Sequence, residues 1–403
     1  MIAQKYDIIT LFFLIIIIAF GVVAIYSATV SVRDNEQNYF IRQIIWAIIG
    51  IGIMVSVSLA PLKIINQLSY GFYGFSLFLL LLVLFIGKTG QSAERWLTFG
   101  AVNIQPSELA KLATVLAVSK YLSRKEVDVN KFKYFSITLG LILLPFFFIV
   151  RQPDLGTGLV FLALIIPIVY WAGLNWFNIF IIITPFFAMI LSFNFWSFLF
   201  LMIIVSIILI ISQKKHWILA AVFLLNIAVG IATPTIWNQL RPYQQKRILT
   251  FINPEKDSKG AGYQIIQSQV AIGSGGSLGK GYLKGSQTHL RFLPEQHTDF
   301  IFSVIGEEFG FLGITCVLLV FLVLILRLIH LASIIKNQFS SLAVIGIITI
   351  ITFHTIVNIG MTIGMAPVTG LPLPFLSYGG SSLLTNTLMM GIVLNISRNK
   401  FVR

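Results

Sequence analysis

Residues 297–328 read HTDFIFSVIGEEFGFLGITCVLLVFLVLILRL, and this stretch decides the class of fold. Its part from residue 301 onward is apolar almost without interruption, and about 20 such residues are enough for a helix to cross a bilayer. His297, Thr298 and Asp299 stand directly at the entrance of this apolar segment. Because an ionised carboxylate is costly to bring near hydrocarbon, its presence there indicates a function.

The composition of the whole chain is that of a membrane protein. The 403 residues are 57% hydrophobic and only 10% charged, whereas roughly 25% of the residues in soluble domains are charged. The charged residues fall between apolar runs of about 15 to 28 residues, which leaves no room for an ordinary soluble domain. The first run, residues 8–27, is longer than the ~7–15-residue core of a secretory signal. We therefore read the chain as polytopic, with its first helix retained.

The apolar runs predict an all-α fold with twelve transmembrane helices, or ten if one hairpin within residues 176–232 does not span. Both counts are even, so the two termini are expected on the same side. Residues 1–403 are interpreted as a single membrane domain with one long external loop, residues 233–298, before the last three spans. The predicted spans are residues 8–27, 44–60, 70–86, 108–122, 135–150 and 159–173, three segments within 176–232, and residues 301–328, 343–365 and 381–396.

The distribution of Lys and Arg predicts the orientation, because these residues accumulate in short cytoplasmic loops. They gather in four segments that alternation of the spans puts on one face, at residues 120–133, 214–215, 327–336 and 398–403. That face and both termini are therefore predicted to be cytoplasmic. The formal charge of +14 is mostly this bias, and the sequence has no basic and aromatic pattern of a nucleic-acid groove. The long external loop is also basic, which suits an anionic partner, although a plain solvated loop is the alternative.

Residues 271–281, AIGSGGSLGKG, resemble a phosphate-binding loop but do not fit its pattern. Ser274 stands where the first glycine of G-x-x-x-x-G-K is required, and Gly281 stands where Ser or Thr is required. The glycines instead predict a tight turn or a close approach of the backbone to a ligand. The five histidines have no metal-ligand spacing, so an all-protein zinc site is not expected.

Charged residues from several segments are predicted to meet at the external ends of the helices. Glu108 and Lys111 are three residues apart and share one helix face, with Ser107 as the predicted N-cap. Lys111 lies one turn deeper and needs a partner or a wet cavity, so a purely structural ion pair is the alternative to a functional site. The predicted cluster consists of Asp299, Glu108, Lys111, Asp154, Arg95 and Arg151.

Small residues follow Asp299 along its span. At ~100° per residue they lie near one helix face, which predicts close approach of a neighbouring helix. Glu307 and Glu308 point away from that face and from each other, so we interpret them as packing or partner contacts. The small residues are Gly306, Gly310 and Gly313.

Five stretches together resemble the SEDS family of cell-wall proteins, which includes RodA, FtsW and SpoVE. They occur in the family order, several exceed ten residues, and the sequence before HTDF is more similar to the RodA branch. The family usually has ten spans, so the surplus apolar sequence within residues 176–232 is interpreted as an added hairpin. The stretches are RWLTFGAVNIQPSELAKL (95–112), RQPDLGTGLVF (151–161), FINPEKDSKGAGYQIIQSQVAIGSGGSLGKG (251–281), RFLPEQHTDFIFSVIGEEFGFLG (291–313) and PVTGLPLPFLSYGGSS (367–382).

The resemblance implies a peptidoglycan glycosyltransferase that polymerises lipid II into β-1,4 glycan strands during cell elongation, on the outer face of the bacterial cytoplasmic (inner) membrane. It implies that the aspartate of HTDF, Asp299, is catalytic and that Glu108 and Lys111 are functionally important. It further implies polyprenyl diphosphate as the leaving group, and a class B penicillin-binding protein and other membrane proteins of the elongation complex as partners. A lipid II transporter and a non-catalytic scaffold for wall enzymes are the alternatives. No organic cofactor is expected.

The chemistry of such a transfer suggests a role for each candidate residue. Asp299 is expected to act as general base towards the acceptor's sugar hydroxyl in a single inverting displacement. The lipid diphosphate leaves without a general acid but needs its charge neutralised. Candidates for that task are Lys111, Arg95, Arg247 and a bound Mg²⁺ or Mn²⁺, and the further predicted substrate contacts are Glu108, His297 and Asp154.

Overall fold

The computed structural model describes residues 7–30, 37–86, 88–90, 93–99, 102–240, 242–257, 260–290 and 292–399. Within these ranges the chain is a helical bundle with one small sheet. The α-helices are α1 (Ile8–Thr29), α2 (Gln37–Leu59), α3 (Leu62–Ile86), α4 (Pro106–Leu122), α5 (Phe132–Arg151), α6 (Leu155–Trp171), α7 (Trp176–Leu191), α8 (Phe195–Ile211), α9 (His216–Gln239), α10 (Pro242–Ile252), α11 (Ala261–Ser274), α12 (Ser286–His289), α13 (Ile301–Ile334), α14 (Gln338–Thr362) and α15 (Gly380–Arg398). The strands are β1 (Lys88–Gly90), β2 (Ala93–Phe99) and β3 (Val102–Ile104).

The predicted all-α polytopic fold is confirmed. Each predicted span forms a helix, namely α1 to α9 and α13 to α15. In the described part of the chain, 7 helices are long and apolar enough to cross a membrane: α1, α2, α3, α5, α9, α13 and α14. Helices α6, α7 and α8 are apolar but shorter, at 17, 16 and 17 residues. The choice between ten and twelve spans therefore stays a prediction.

Several helices begin earlier than the apolar runs predict. Helix α2 starts at Gln37 instead of residue 44, and α3 starts at Leu62 instead of residue 70. Their first turns contain polar residues that are compatible with helical backbone but lower the local hydropathy. Hydropathy therefore marks the apolar middle of each helix and misses its polar ends.

The small sheet was not predicted. Strand β2 pairs antiparallel with both β1 and β3, and the order is β1-β2-β3. With lengths of 3, 7 and 3 residues, these strands are too short for a clear alternating pattern in sequence. Strand β2 carries Arg95 to the beginning of α4, where it enters the candidate site.

Residues 233–298 are mainly helical, although the sequence suggested a long loop. They contain the end of α9 together with α10, α11 and α12. Helix α11 packs against α13 and α14, where the Ser268 hydroxyl lies 2.6 Å from the Ser303 hydroxyl and donates to the Thr362 carbonyl at 2.6 Å. Nearby, Lys246 lies 3.0 Å from Asp257, and its hydrogen bond holds the pKa of that carboxyl below the usual value.

Helices α7, α8 and α9, in the region of the predicted extra hairpin, pack on one another around a small core of their own. One buried polar contact lies between them, from Asn226 Nδ2 to Thr184 Oγ1 at 3.3 Å. The rest of the bundle has a separate and much larger core. The residues of the small core are Phe177, Ala188, Leu201, Val205, Leu209 and Val222.

Several polar contacts gather at one end of the bundle. Asp7 caps α1 and pairs with Arg327 near the end of α13, with distances of 3.0 and 3.2 Å. At the same end, Lys120 donates to the Asn66 carbonyl at 2.6 Å, and Arg398 donates to the Leu59 carbonyl at 3.2 Å. The first turns of α4, α6 and α13, which carry the candidate site, lie at the opposite end.

Helix α13 is interrupted at Gly310, where φ is 63° and ψ is −159°. The glycine-rich turn after α11 fills the interruption, because Phe311 N donates to Gly276 O at 2.9 Å and Leu312 N donates to Ser277 O at 3.1 Å. The predicted close approach of a helix is confirmed at Gly306, where an added Cβ would lie 3.0 Å from the Ile272 side chain of α11. At Gly310 the neighbour is the glycine-rich turn, and at Gly313 the nearest atoms belong to α13 itself. The continuous helix assumed for α13 is wrong, since a left-handed residue breaks it.

The two glutamates before this interruption have different partners. Glu307 accepts hydrogen bonds from Lys280 Nζ at 2.7 Å and from the backbone and hydroxyl of Thr288 at 3.0 and 2.8 Å. Glu308 accepts a hydrogen bond from Ser27 on α1. Both carboxylates are buried, so the interpretation of these residues as packing contacts is confirmed. Lys280 of the phosphate-loop-like stretch is occupied by Glu307.

We expect Gly279→Ala to destabilise the protein strongly. Gly279 has φ of +80°, and an added Cβ would lie 2.1 Å from the Glu308 carbonyl oxygen. Left-handed backbone at a residue other than glycine costs about 1–3 kcal/mol before the clash is counted. The measurement is the thermal midpoint in detergent. Gly273→Ala is the control, because that glycine lies in α11 with nothing within 4 Å of the added atom. Equal midpoints for both variants would contradict the close packing.

Candidate active site

Asp299 lies in the last turn before α13, and its position is fixed through the backbone. The N–H groups of Thr298 and Asp299 donate to the Glu295 carbonyl at 3.2 and 3.1 Å. From α14, Asn358 Nδ2 donates to the Asp299 carbonyl at 2.9 Å. Asp299 is half-buried, so its carboxylate lies at the surface of the bundle end with a rigid backbone beneath it.

The chain between α14 and α15 passes directly beside Asp299. A Cβ built on Gly370 would lie 3.6 Å from Asp299 Oδ2, and Gly370 has φ of +73°. The next carbonyl, of Leu371, accepts a second hydrogen bond from Asn358 Nδ2 at 2.8 Å. The side-chain amide of Asn358 on α14 therefore holds both the Asp299 carbonyl and the segment that faces it, residues 369–373, which we call the strip of backbone beside Asp299.

Glu108 and Lys111 form the predicted pair, with Oε1 and Nζ 2.9 Å apart. Lys111 is 1% exposed and Glu108 is 3% exposed, so the pair lies inside the bundle. The prediction of Ser107 as the N-cap is wrong. The cap position is Gln105, and Pro106 starts the helix, because its fixed φ suits the first helical residue.

Lys111 has a second partner that the sequence did not suggest. His354 Nε2 on α14 lies 2.9 Å from Lys111 Nζ, and His354 Nδ1 lies 3.3 Å from the Pro372 carbonyl oxygen. His354 and Asn358 are four residues apart on one apolar helix. Polar residues at that spacing in a predicted span were the available signal, since ionisable groups inside membrane helices are rare.

Asp154 and Arg95 form a second polar group. Asp154 caps α6 by accepting from Thr157 N at 3.2 Å and Thr157 Oγ1 at 2.9 Å. Arg95 lies 3.8 Å from Asp154 and donates to the Pro153 carbonyl. The Arg95 side chain is 27% exposed. In this arrangement the Asp154 carboxylate is a helix cap, and Arg95 remains open to solvent.

Helix α6 also approaches the strip of backbone beside Asp299. An added Cβ on Gly156 would lie 2.5 Å from the Thr369 carbonyl oxygen. Glycine is therefore required where the first turn of α6 meets this strip. The contact joins the Arg95 and Asp154 group to the surroundings of Gly370.

His297 contributes an aromatic group next to Asp299. Its ring stacks on Tyr39 of α2 with centroids 4.6 Å apart, and Tyr378 lies 5.7 Å away. The His297 carbonyl accepts from Tyr378 N at 2.9 Å. Burial raises the pKa of the Tyr378 hydroxyl, and Arg42 beside it opposes the rise.

The structure does not bring every predicted residue into this site. The Arg151 guanidinium lies over the Phe147 ring, 5.0 Å from its centroid, and Arg151 is exposed. The Arg247 side chain lies outside the described residues. Among the residues that the structure describes, no group of three or more His, Cys, Asp or Glu could hold a metal ion.

Comparison with known proteins agrees with this architecture. The model of the FtsW, RodA and SpoVE family, described as "Cell cycle protein", matches residues 7–199 and 181–401. The two matched segments overlap at residues 181–199, within the region of the predicted extra hairpin.

Individual relatives cover nearly the whole chain. The peptidoglycan glycosyltransferase RodA of Treponema pallidum is 34% identical, covering 98% of this chain and 98% of its own. The peptidoglycan glycosyltransferase MrdB of Escherichia coli K12 is 34% identical, covering 93% and 90%. A chain solved in a study of "polymerization and crosslinking by a peptidoglycan synthase complex" has a TM-score of 0.77 at 30% identity, with 99% of both chains covered. The chain described here belongs to the SEDS family of cell-wall proteins.

Proposed function

We propose that this protein is a peptidoglycan glycosyltransferase that polymerises lipid II into β-1,4 glycan strands during cell elongation. The relatives at 34% identity are peptidoglycan glycosyltransferases. The observation that carries the catalytic assignment is the half-buried Asp299 carboxylate, which faces the bare backbone of Gly370. A Cβ at residue 370 would be in van der Waals contact with Asp299 Oδ2, so glycine keeps a side chain from crowding the carboxylate.

Asp299 acts as the general base in a single displacement. Its carboxylate takes the proton from the acceptor's sugar 4-hydroxyl while that oxygen forms a bond to the anomeric carbon of the donor. The bond from the anomeric carbon to the diphosphate oxygen breaks, and its electron pair leaves with the polyprenyl diphosphate. An α-linked donor gives a β-linked product, so no second carboxylate is needed.

The departing diphosphate needs positive charge, and the two candidate cations differ in access. Arg95 is 27% exposed and its guanidinium is held beside Asp154, so it is the cation that meets a diphosphate directly. Lys111 is 1% exposed, and it contributes its charge from inside the bundle. A Mg²⁺ or Mn²⁺ bound mainly by diphosphate oxygens would supply further neutralisation.

The protein is a multi-pass membrane protein, and we propose that the site faces the outside of the cytoplasmic membrane. The contacts of Asp7 with Arg327 and of Arg398 with the Leu59 carbonyl support termini on one side, opposite Asp299. A class B penicillin-binding protein is the proposed partner, supported by the likeness to a chain of a complex for polymerisation and crosslinking.

We expect Asp299→Asn to abolish glycan polymerisation without loss of folding. The amide cannot accept the hydroxyl proton, and a positioned base contributes typically about 10²–10⁴ in rate. The measurement is the length of glycan chains made from labelled lipid II in detergent, with and without the crosslinking partner. Asp128→Asn is the control, because that carboxylate lies in an exposed loop and contacts Asn130. Polymer at the wild-type rate from Asp299→Asn would overturn the base assignment.

Glu108 and Lys111 allow structural and chemical roles to be separated. We expect Lys111→Met alone to lower the amount of folded protein, since an unpaired buried charge costs about 3–5 kcal/mol. The double variant Glu108→Gln with Lys111→Met removes both charges, and folding should recover while polymerisation stays lost. Fluorescence size-exclusion chromatography and the lipid II assay measure the two effects. Recovery of activity in the double variant would make the pair purely structural.

A further inference from the structure

His354 has no place in the transfer chemistry described above, yet it is buried beside Lys111. It is 2% exposed on α14, and its two ring nitrogens contact different parts of the protein. Nε2 faces Lys111 Nζ on α4, and Nδ1 faces the Pro372 carbonyl between α14 and α15. A buried imidazole with a polar neighbour at each nitrogen is a specific connection between two elements.

The chemistry of these neighbours assigns the proton of the imidazole. Lys111 is paired with Glu108 at 2.9 Å, and an ammonium group has three N–H donors and no acceptor. His354 Nε2 must therefore accept a hydrogen bond from Lys111. The proton then resides on Nδ1, where it is donated to the Pro372 carbonyl. A doubly protonated ring would place an N–H against the ammonium group.

This connection places Lys111 relative to Asp299. One turn further along α14, about 6 Å in rise, Asn358 donates to the carbonyls of Asp299 and Leu371. His354 and Asn358 thus hold consecutive carbonyls, those of Pro372 and Leu371, from the same helix face. Lys111 and the backbone of Asp299 are therefore both held by α14.

We propose that His354 is a positioning residue for glycosyl transfer: a neutral imidazole protonated on Nδ1 that fixes the Lys111 ammonium and the Pro372 backbone relative to Asp299. The inference rests on the proposed function for its catalytic consequence. The connection between His354 and Lys111 stands on the geometry alone.

Three substitutions separate the two hydrogen bonds of the ring. In His354→Gln the side-chain oxygen can accept from Lys111, in His354→Asn the shorter amide can donate to Pro372, and His354→Leu does neither. We expect His354→Gln to keep turnover within a fewfold of wild type. We expect His354→Leu and His354→Asn to lose at least about tenfold in kcat with a smaller change in KM, since misplacement by ~1 Å can cost about 100-fold.

The activity measurement is lipid II polymerisation normalised to folded protein, with the exposed His330→Gln as a control expected to match wild type. Wild-type turnover in His354→Leu would overturn the proposal. So would equal losses in all three His354 variants, because a merely structural histidine gains nothing from glutamine.

A second measurement does not depend on enzyme activity. His354→Leu is made in the wild-type chain and in the variant with Glu108→Gln and Lys111→Met, and the thermal midpoints are compared. We expect a clear drop in the first background and a much smaller one in the second, because the acceptor of Lys111 matters only when Lys111 is present. Equal drops would disprove the connection. If wild type makes no polymer even with its partner, the proposed function fails, while this comparison still decides the connection.

Discussion

A charged lysine inside an apolar bundle is the constraint on which this end of the protein depends. Lys111 is among the largest fully buried side chains, and an ammonium group in such a place must direct its N–H bonds at acceptors. Glu108 supplies one from the same helix, and His354 supplies another from α14. Helix α4 is therefore tied to α14 through the Lys111 and His354 contact. The same face of α14 holds the carbonyls of Leu371 and Pro372 beside Asp299.

The sequence predicted most of the bundle and part of the site, for physical reasons that differ. Each apolar run extends over many consecutive residues and is therefore easy to recognise, and each predicted span proved to be a helix. Asp299, Glu108 and Lys111 are recognisable because charge is costly in such a chain. His354 was missed because its partner lies 243 positions away, and its spacing from Asn358 marks a polar face of the helix without naming what that face contacts. The sheet was missed because its strands are too short. Arg151 was wrongly placed in the cluster, because its contact with the Phe147 ring depends on side-chain packing.

The glycine-rich turn after α11 illustrates how a local sequence can suggest the wrong chemistry. Residues 271–281 are similar to a phosphate-binding loop, but Lys280 pairs with the buried Glu307, and the glycines make room for the backbone of α13. Positive charge and glycine are needed for both purposes. Ser274 and Gly281 already depart from the phosphate-loop pattern, and the structure shows the partner of Lys280 to be a carboxylate of the same chain.

The interruption at Gly310 divides α13 into a short piece that follows Asp299 and a longer piece that is apolar enough to cross a membrane. The helix is 34 residues long, which is about 51 Å and well beyond the ~30 Å hydrocarbon layer. Residues after Gly310 are alone sufficient to cross that layer, at about 36 Å. The short piece before Gly310 carries the turn with Asp299 and is oriented by the glycine turn and by α14. The turn with Asp299 is therefore attached to a short helix that the hydrocarbon layer does not need, and the glycine-rich turn after α11, which is hydrogen-bonded on both sides of Gly310, marks where the spanning piece begins.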